Sequence, residues 1–295
     1  MSYNSFIPTV WNASLLMALR NVHHFKVLTN DDYEKDAKNA RSVVINQIDD
    51  VTISDYDRAN GVSFSEAQTS SQTLDLDQEK SFGKYVNSID KAQCANGGEI
   101  MQKIMQSAAY GFQDLVDTQL AAEYANAGIV GGADEAAIGV AGTPIEITVD
   151  GGGSSIKVID WLGRLERRYH DAKCPMDAPR YLVIPPWLKQ KMVQAQLLDV
   201  RGFDNKGTFE NGKVTEVFGF GIRVSNNVSN SGGEFRVMAG NRNCITFAEQ
   251  IMETQAGRRS GHFEDYIAGL YVYGYETIRP DQLMCSIIEE GAEGQ

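Results

Sequence analysis

Hydrophobic and polar positions along this chain change period several times, and its two longest stretches of constant period dominate the reading. From Arg41 to Ile89 the pattern is that of extended strands. Val43, Val44, Ile45, Ile48, Val51 and Ile53 are β-branched residues in one run, and Leu74-Asp75-Leu76-Asp77 followed by Phe82 and Tyr85-Val86 supplies a return strand. Between them, Asp57 to Ser71 is polar and has no apolar period. The prediction is a long β-hairpin that cannot bury itself, because two strands this polar are marginal without a sheet or helix over one face. The hairpin either needs a partner surface or forms the edge of an ordinary antiparallel sheet.

From Ala92 to Asn126 the period turns helical. Met101, Ile104, Met105, Ala108, Phe112, Leu115, Val116 and Leu120 recur at spacings of three and four, without proline, and the stretch ends in Gly128. A helix of about 35 residues is a rod on the order of 50 Å, longer than the diameter of a small domain. A hairpin that cannot cover itself, followed by a helix too long for one small core, suggests a subunit completed by copies of itself.

The flanking segments read more simply. Residues 1 to 40 form an expected arm with one short amphipathic helix, carried by Val10, Leu15, Leu16, Leu19 and Val22 after Pro8, before Asp31 to Asp36 returns the chain to solvent. After a Gly- and Ala-rich passage, Ile129 to Gly142, come a strand from Pro144 to Val149, a turn at Asp150 to Gly153, and a helix from Ile156 to about His170. Tyr181-Leu182-Val183-Ile184 is a compact buried-strand signal stopped by Pro185-Pro186, and Pro186 opens a helix expected from Trp187 to Leu198. This order reads as a small α/β lobe. Strands are predicted at Phe235 to Met238, Ile245 to Ile251 and Tyr266 to Thr277, ending at Arg279-Pro280, and the tail from Glu289 to Gln295 reads as loose.

Charge narrows the partners. The net charge of -12 argues against tight wrapping of nucleic acid, which needs clustered Lys and Arg to neutralise phosphates. Arg164, Arg167 and Arg168 make a single basic cluster, read either as a solvated helix face paired with acidic neighbours or as a subunit contact. The N-terminus carries no secretory signal pattern, and no window approaches the roughly 18 apolar residues of a membrane span, so a soluble protein is expected. Cys94, Cys174, Cys244 and Cys285 lie far apart without a CxxC pair and read as reduced, small buried hydrophobes.

Candidate chemistry is sparse, and no catalytic, cofactor-binding or metal residue is assigned. Gly151-Gly152-Gly153-Ser154-Ser155 lacks the second glycine and the Lys of a phosphate loop and reads as a turn; Phe218-Gly219-Phe220-Gly221 reads as a strand bend or bulge. His23 and His24 are adjacent, so on a helix they point apart, and surface histidines are the better reading. The acidic run from Asn30 to Asp36 has no central Gly to turn a calcium loop. No G-x-S-x-G elbow is present, and four histidines leave little for a Ser-His or Cys-His pair.

Taken in order, the segments resemble the major capsid proteins of tailed bacteriophages with the Hong Kong ninety-seven fold. The resemblance is carried by Phe6-Ile7-Pro8-Thr9-Val10-Trp11-Asn12-Ala13-Ser14-Leu15-Leu16, the hairpin and long-helix order, and Arg180-Tyr181-Leu182-Val183-Ile184-Pro185-Pro186-Trp187. It continues through Gly219-Phe220-Gly221-Ile222-Arg223-Val224-Ser225-Asn226-Asn227, Ala239-Gly240, Ile245-Thr246-Phe247-Ala248-Glu249-Gln250 and Gly269-Leu270-Tyr271-Val272-Tyr273-Gly274 to Arg279-Pro280.

The resemblance implies an α+β capsid fold: an N-terminal arm (1–40), an extended hairpin loop lying over a neighbouring subunit (41–90), a peripheral domain with a long spine helix (91–155), an axial α/β domain (156–244), and returning peripheral strands with a tail (245–295). Implied subunit contacts are Asp57, Arg58, Asn60 and Glu66 at the loop tip, and Arg164, Arg167, Arg168, Asn226 and Asn227 in the axial domain. The implied function is a non-enzymatic head-shell protein of the virion, assembled in the host cytoplasm into pentamers and hexamers around double-stranded DNA. Its DNA contacts would be weak and non-specific, and its scaffolding protein and portal separate chains. No cofactor or membrane is implied. The alternatives are an encapsulin-type nanocompartment shell, a small α/β hydrolase or transferase built on the Tyr181 to Leu198 lobe, and a decoration or tail protein.

Overall fold

The computed structural model describes residues 24–37, 40–48, 53, 55–56, 58, 66, 69–87, 100–133, 137–152, 155–175, 178–195 and 216–292. The fold is α+β. The helix expected at Val10 to Val22, the Ala92 to Glu99 part of the long helix, and Cys94 lie outside these residues.

The long helix, which follows α1 (Glu34–Ala37), is α2 (Ile100–Ala122), 23 residues that tighten into a 3-10 turn at Glu123–Asn126. Its length is about 35 Å at the usual rise. Met105, Phe112, Val116 and Leu120 of the expected face are buried along one side together with Ala109, whereas Leu115, expected on the same face, is exposed. Gly128 follows the helix for a different reason than a left-handed cap. Its N–H donates to the Pro280 carbonyl at 2.7 Å, and a Cβ there would stand 2.5 Å from that oxygen.

The buried side of α2 rests on a four-stranded sheet in the order β1 (Thr29–Asn30), β12 (Ile245–Arg258), β13 (Glu264–Thr277), β4 (Gln78–Asn87). The ring of Phe112 packs edge-on against Phe82 of β4 at 5.7 Å and tilted against Tyr271 of β13 at 5.5 Å. β12 and β13 are each 14 residues long and pair antiparallel with one irregularity between Glu249 and Ile251. β12 therefore runs past the expected end at Ile251. Its distal half is polar and is held by ladder hydrogen bonds that leave no apolar signature.

The predicted hairpin is present, but its return strand is divided. β2 (Ser42–Ile48) pairs antiparallel with β3 (Thr69–Asp75) in a separate two-stranded ribbon. After Leu76-Asp77 the chain enters β4, which pairs with β13 instead. Where the ribbon joins the body, Ala37 of α1, Ile45, Leu74, Leu76, Ala248 and Ile278 form a small core of their own, apart from the main one. Ala37, directly after Asp36, is fully buried there, so the helix that begins in the acidic run ends against the body.

A second sheet has the order β6 (Ile156–Lys157), β5 (Ile145–Thr148), β14 (Met284–Glu290), β11 (Glu234–Asn241), β7 (Arg180–Ile184), β9 (Phe220–Val224), β8 (Glu216–Val217), with β10 (Asn230–Ser231) paired to β11. α3 (Val158–Asp171) buries Val158, Trp161, Leu162, Leu165 and Tyr169, and α4 (Pro186–Gln194) buries Leu188 and Met192. α4 ends before Leu198, and residues 196–198 lie outside those described. β14 is a strand the sequence reading passed over. It lies between β5 and β11, so this sheet takes strands from both sides of the expected boundaries at 156 and 244.

Candidate assembly surfaces

Uncovered apolar side chains occur on the ribbon and in the stretch between its strands. Val44 on β2 is exposed, and beyond the paired strands Ile53 is 94% and Tyr56 69% exposed. Of the expected loop-tip contacts, Arg58 and Glu66 are exposed, while Asp57 and Asn60 lie outside the described residues. Isolated two-stranded ribbons have no second layer to cover such side chains.

The arginines of α3 divide between two roles. Arg164 donates from Nη1 to the Ala137 carbonyl at 3.3 Å, and Arg168 from Nη2 to the Val130 carbonyl at 2.9 Å. These two fasten the Gly- and Ala-rich passage to the helix. Arg167 faces solvent and sits 3.9 Å from Asp171 one turn on, an exposed pair of the kind worth little. Asn226 is exposed. Asn227 donates from Nδ2 to Asp114 Oδ1 on α2 at 2.8 Å.

Two features escaped the sequence reading. At the β12–β13 turn, Phe263 is 74% exposed beneath the Arg258 guanidinium, 5.3 Å from its ring centre, and Arg259 lies over Tyr85 at 5.0 Å. The signal available was Gly257-Arg258-Arg259-Ser260-Gly261-His262-Phe263, a turn composition between strand runs. The second is a groove of about 390 Å³ between β4 and α2, lined by Phe82, Lys84, Lys103, Ile104, Ser107 and Ala108. A larger polar hollow, about 760 Å³, lies under the ribbon root among Asn46, Gln72, Asn243, Thr246, Arg279 and Gln282.

The chemical groups of the fold are arranged for packing. Among the described residues no group of three or more His, Cys, Asp or Glu side chains is placed to hold a metal ion. Cys174, Cys244 and Cys285 are buried free thiols, and burial pushes Cys244 and Cys285 up to about 12. Thiols held so far from ionisation are poor nucleophiles. The His24 backbone N–H donates to Asp117 Oδ2 at 3.0 Å, tying the turn before β1 to α2. Gly151 and Gly152 make a turn, Gly151 N–H donating to Thr148 Oγ1 at 3.1 Å. Phe218 and Gly219 carry positive φ of 51° and 71° in the turn between β8 and β9, where a bend or bulge was expected.

Comparison with known proteins places this architecture. A chain of Mycobacterium phage Che8 superposes with a TM-score of 0.69 at 20% identity, covering 90% of each chain. The capsid of Ralstonia phage GP4 gives a TM-score of 0.63 at 11% identity over 92% of this chain and 88% of that one. A virus-like particle from Pyrococcus furiosus gives 0.57 at 12% identity over 96% and 99%. No curated protein sequence matches the chain. The family model described as phage capsid protein matches residues 78–281, from the first residue of β4 to the turn before β14. That family is structural and not catalytic, which removes the hydrolase and transferase readings. The chain belongs to the phage capsid protein family, the major shell-forming proteins of tailed phages with the Hong Kong ninety-seven fold.

Proposed function

We propose that copies of this chain assemble into pentamers and hexamers that close an icosahedral head shell around the double-stranded DNA of a tailed phage. The observation that carries this reading is the ribbon β2–β3, which among the described residues pairs with no other strand, together with the exposure of Ile53 and Tyr56 in the stretch between its two strands. In such a shell residues 1–40 act as an arm, 41–90 as a loop over the neighbouring subunit, 91–155 and 245–295 as the peripheral part around α2, and 156–244 as the axial part. Asp57, Arg58, Asn60 and Glu66 at the loop tip, and Arg167 and Asn226 on the axial part, meet neighbouring copies. Arg164, Arg168 and Asn227 support the same surfaces from within. A separate scaffolding protein and a portal complete the assembly in the host cytoplasm.

The net charge of -12 suits a wall that mildly repels phosphate, since strong binding opposes packing and release of the genome. Tight binding of duplex DNA by assembled shells at physiological salt would count against that part of the reading. Electron microscopy of the purified chain, with and without the products of neighbouring open reading frames, tests the whole. Closed shells, tubes or rings of five and six are the expected result; a monodisperse monomer under every condition overturns it. A second reading on the same fold is a shell enclosing protein cargo. Shells isolated from the native host separate the two by containing DNA or protein.

A further inference from the structure

The turn between β12 and β13 and a hollow at the ribbon root carry opposite chemistry. In the turn, Phe263 is 74% exposed with the Arg258 guanidinium over its ring, and Arg258, Arg259 and His262 are exposed too. Residues 257–263 contain no carboxylate, in a chain whose net charge is -12. An aromatic ring flanked by arginines is the composition of an interface anchor, and what complements it is an apolar recess with an acidic rim.

The same sheet carries such a recess. Tyr271 packs on Phe112 of α2, so by strand alternation Leu270 and Val272 face the other way. There a hollow of about 400 Å³ opens beside the ribbon root. Leu76 and Val272 are buried at its floor, Leu270 is 37% exposed, and Asp77, Glu79 and Arg41 stand exposed around them. Asp77 also belongs to the corner it shares with Asp75, Glu123 and Glu276, where burial and crowded negative charge hold the Glu276 carboxyl above its ordinary value. Gln250, on the wall of the hollow, and Arg258 lie on one strand, roughly 25 Å apart at the usual rise per residue. The turn therefore does not reach the hollow of its own subunit.

We infer that the hollow bounded by Leu76, Leu270, Val272, Asp77 and Glu79 receives the β12–β13 turn of a second copy of this chain. The inference rests on the shell reading above and adds to it a contact between two parts of the folded body. Phe263 enters between Leu76 and Leu270, and Arg258 and Arg259 lie over Glu79 and Asp77. Arginines placed there offset the repulsion among the carboxylates of the corner. The contact is heterologous, since turn and hollow are different surfaces of one subunit, so each copy gives a turn and accepts one. Repetition through a closed assembly makes a modest single contact sufficient.

The test replaces Phe263 with a photo-crosslinking phenylalanine analogue and irradiates assembled particles. The expected result is covalent multimers whose crosslinked peptides contain residues 76–79 or 270–272. Charge exchange supplies a second readout: Arg258→Glu and Glu79→Arg, both at exposed positions, each lose shell formation, and the double variant recovers it. The crosslink decides should either variant fail to fold. Particles that form normally but whose crosslinks map to the β12–β13 turn of another copy, to any other segment, or to no second copy overturn the docking site and leave the shell reading standing. Unchanged assembly of either folded single variant, or no recovery in a folded double variant, also overturns it. If the unmodified chain forms no assembly at all, the shell reading itself falls, and this inference with it.

Discussion

The main chain of Asp75 crosses β13 directly over Gly274: a Cβ on that glycine would stand 2.2 Å from the Asp75 carbonyl oxygen and 2.9 Å from the Leu76 Cα. This crossing is where the return strand leaves the ribbon and joins the sheet. Gly274→Ala is expected to push the ribbon root off β13 and to cost about 1–3 kcal/mol, the usual range for overpacking against backbone that has nowhere to move. Gly83→Ala is the control. It adds the same methyl in β4, with nothing within 4 Å of it. Urea unfolding of both variants checks the prediction, and equal midpoints would sink it.

Trp161 of α3 donates from Nε1 to Ser286 Oγ on β14 at 2.9 Å, and that hydroxyl donates onward to the Ile138 carbonyl at 2.6 Å. One buried hydroxyl thus joins a helix, a central strand and the Gly- and Ala-rich passage. Ser286→Ala removes few atoms but leaves an indole N–H and a carbonyl without their partner. The expected cost is about 1–3 kcal/mol, the penalty of stranding buried polar groups. A urea midpoint lowered without a change in slope would support this, and an unchanged midpoint would show the pair to be satisfied otherwise.

The same strand marks the limit of what the sequence conveys. α2 was legible because Met105, Phe112, Val116 and Leu120 keep one helical face without a proline; the prediction failed at Leu115, which is exposed, and in the role of Gly128. β14 was not, because Met284 to Ile288 is buried on both faces, so the run has no alternation, and Glu289 and Glu290 make it look like the start of a tail. The ribbon's existence was legible from its β-branched run. Its division at Leu76-Asp77 depends on Gly274, far along the chain, and pairing at that distance has no local signature. At the surfaces, the α3 arginines stood out by composition, yet the partners of Arg164 and Arg168 are backbone carbonyls, which every residue offers. The groove beside Phe82 exists only once β4 and α2 are packed together.

The buried thiols give a chemical check on the fold. Burial holds Cys244 and Cys285 up to about 12, and Cys174 is raised from the ordinary value of 9.0 by the same cause. At pH 8 a thiol at 12 is ionised in only about one molecule in ten thousand, and the thiolate is the reacting form. Alkylation of the native protein followed by peptide mapping is expected to leave all three unmodified and to label all three in concentrated urea. Rapid native labelling of Cys285 would contradict its place in the centre of the second sheet.

Glu276 gives the fold a pH dependence of defined sign. Its carboxyl is raised from the ordinary 4.5, first by burial and then by the neighbouring charges of Glu123, Asp75 and Asp77. The folded protein therefore holds this proton more tightly than the unfolded chain. Stability contributed by the group is present at low pH and is lost as pH rises from 4.5 through the higher folded value, because ionisation there places a fourth negative charge at the corner where ribbon, helix end and β13 meet. Glu276→Gln removes that ionisation while keeping the shape of the side chain. The variant is expected to melt at a higher temperature than the parent at pH 8, with the difference shrinking as pH falls toward 4.5. Melting curves of both proteins across that range check it: a variant less stable at pH 8, or a difference that grows on acidification, would mean that Glu276 is stabilised as an anion by contacts other than these three carboxylates.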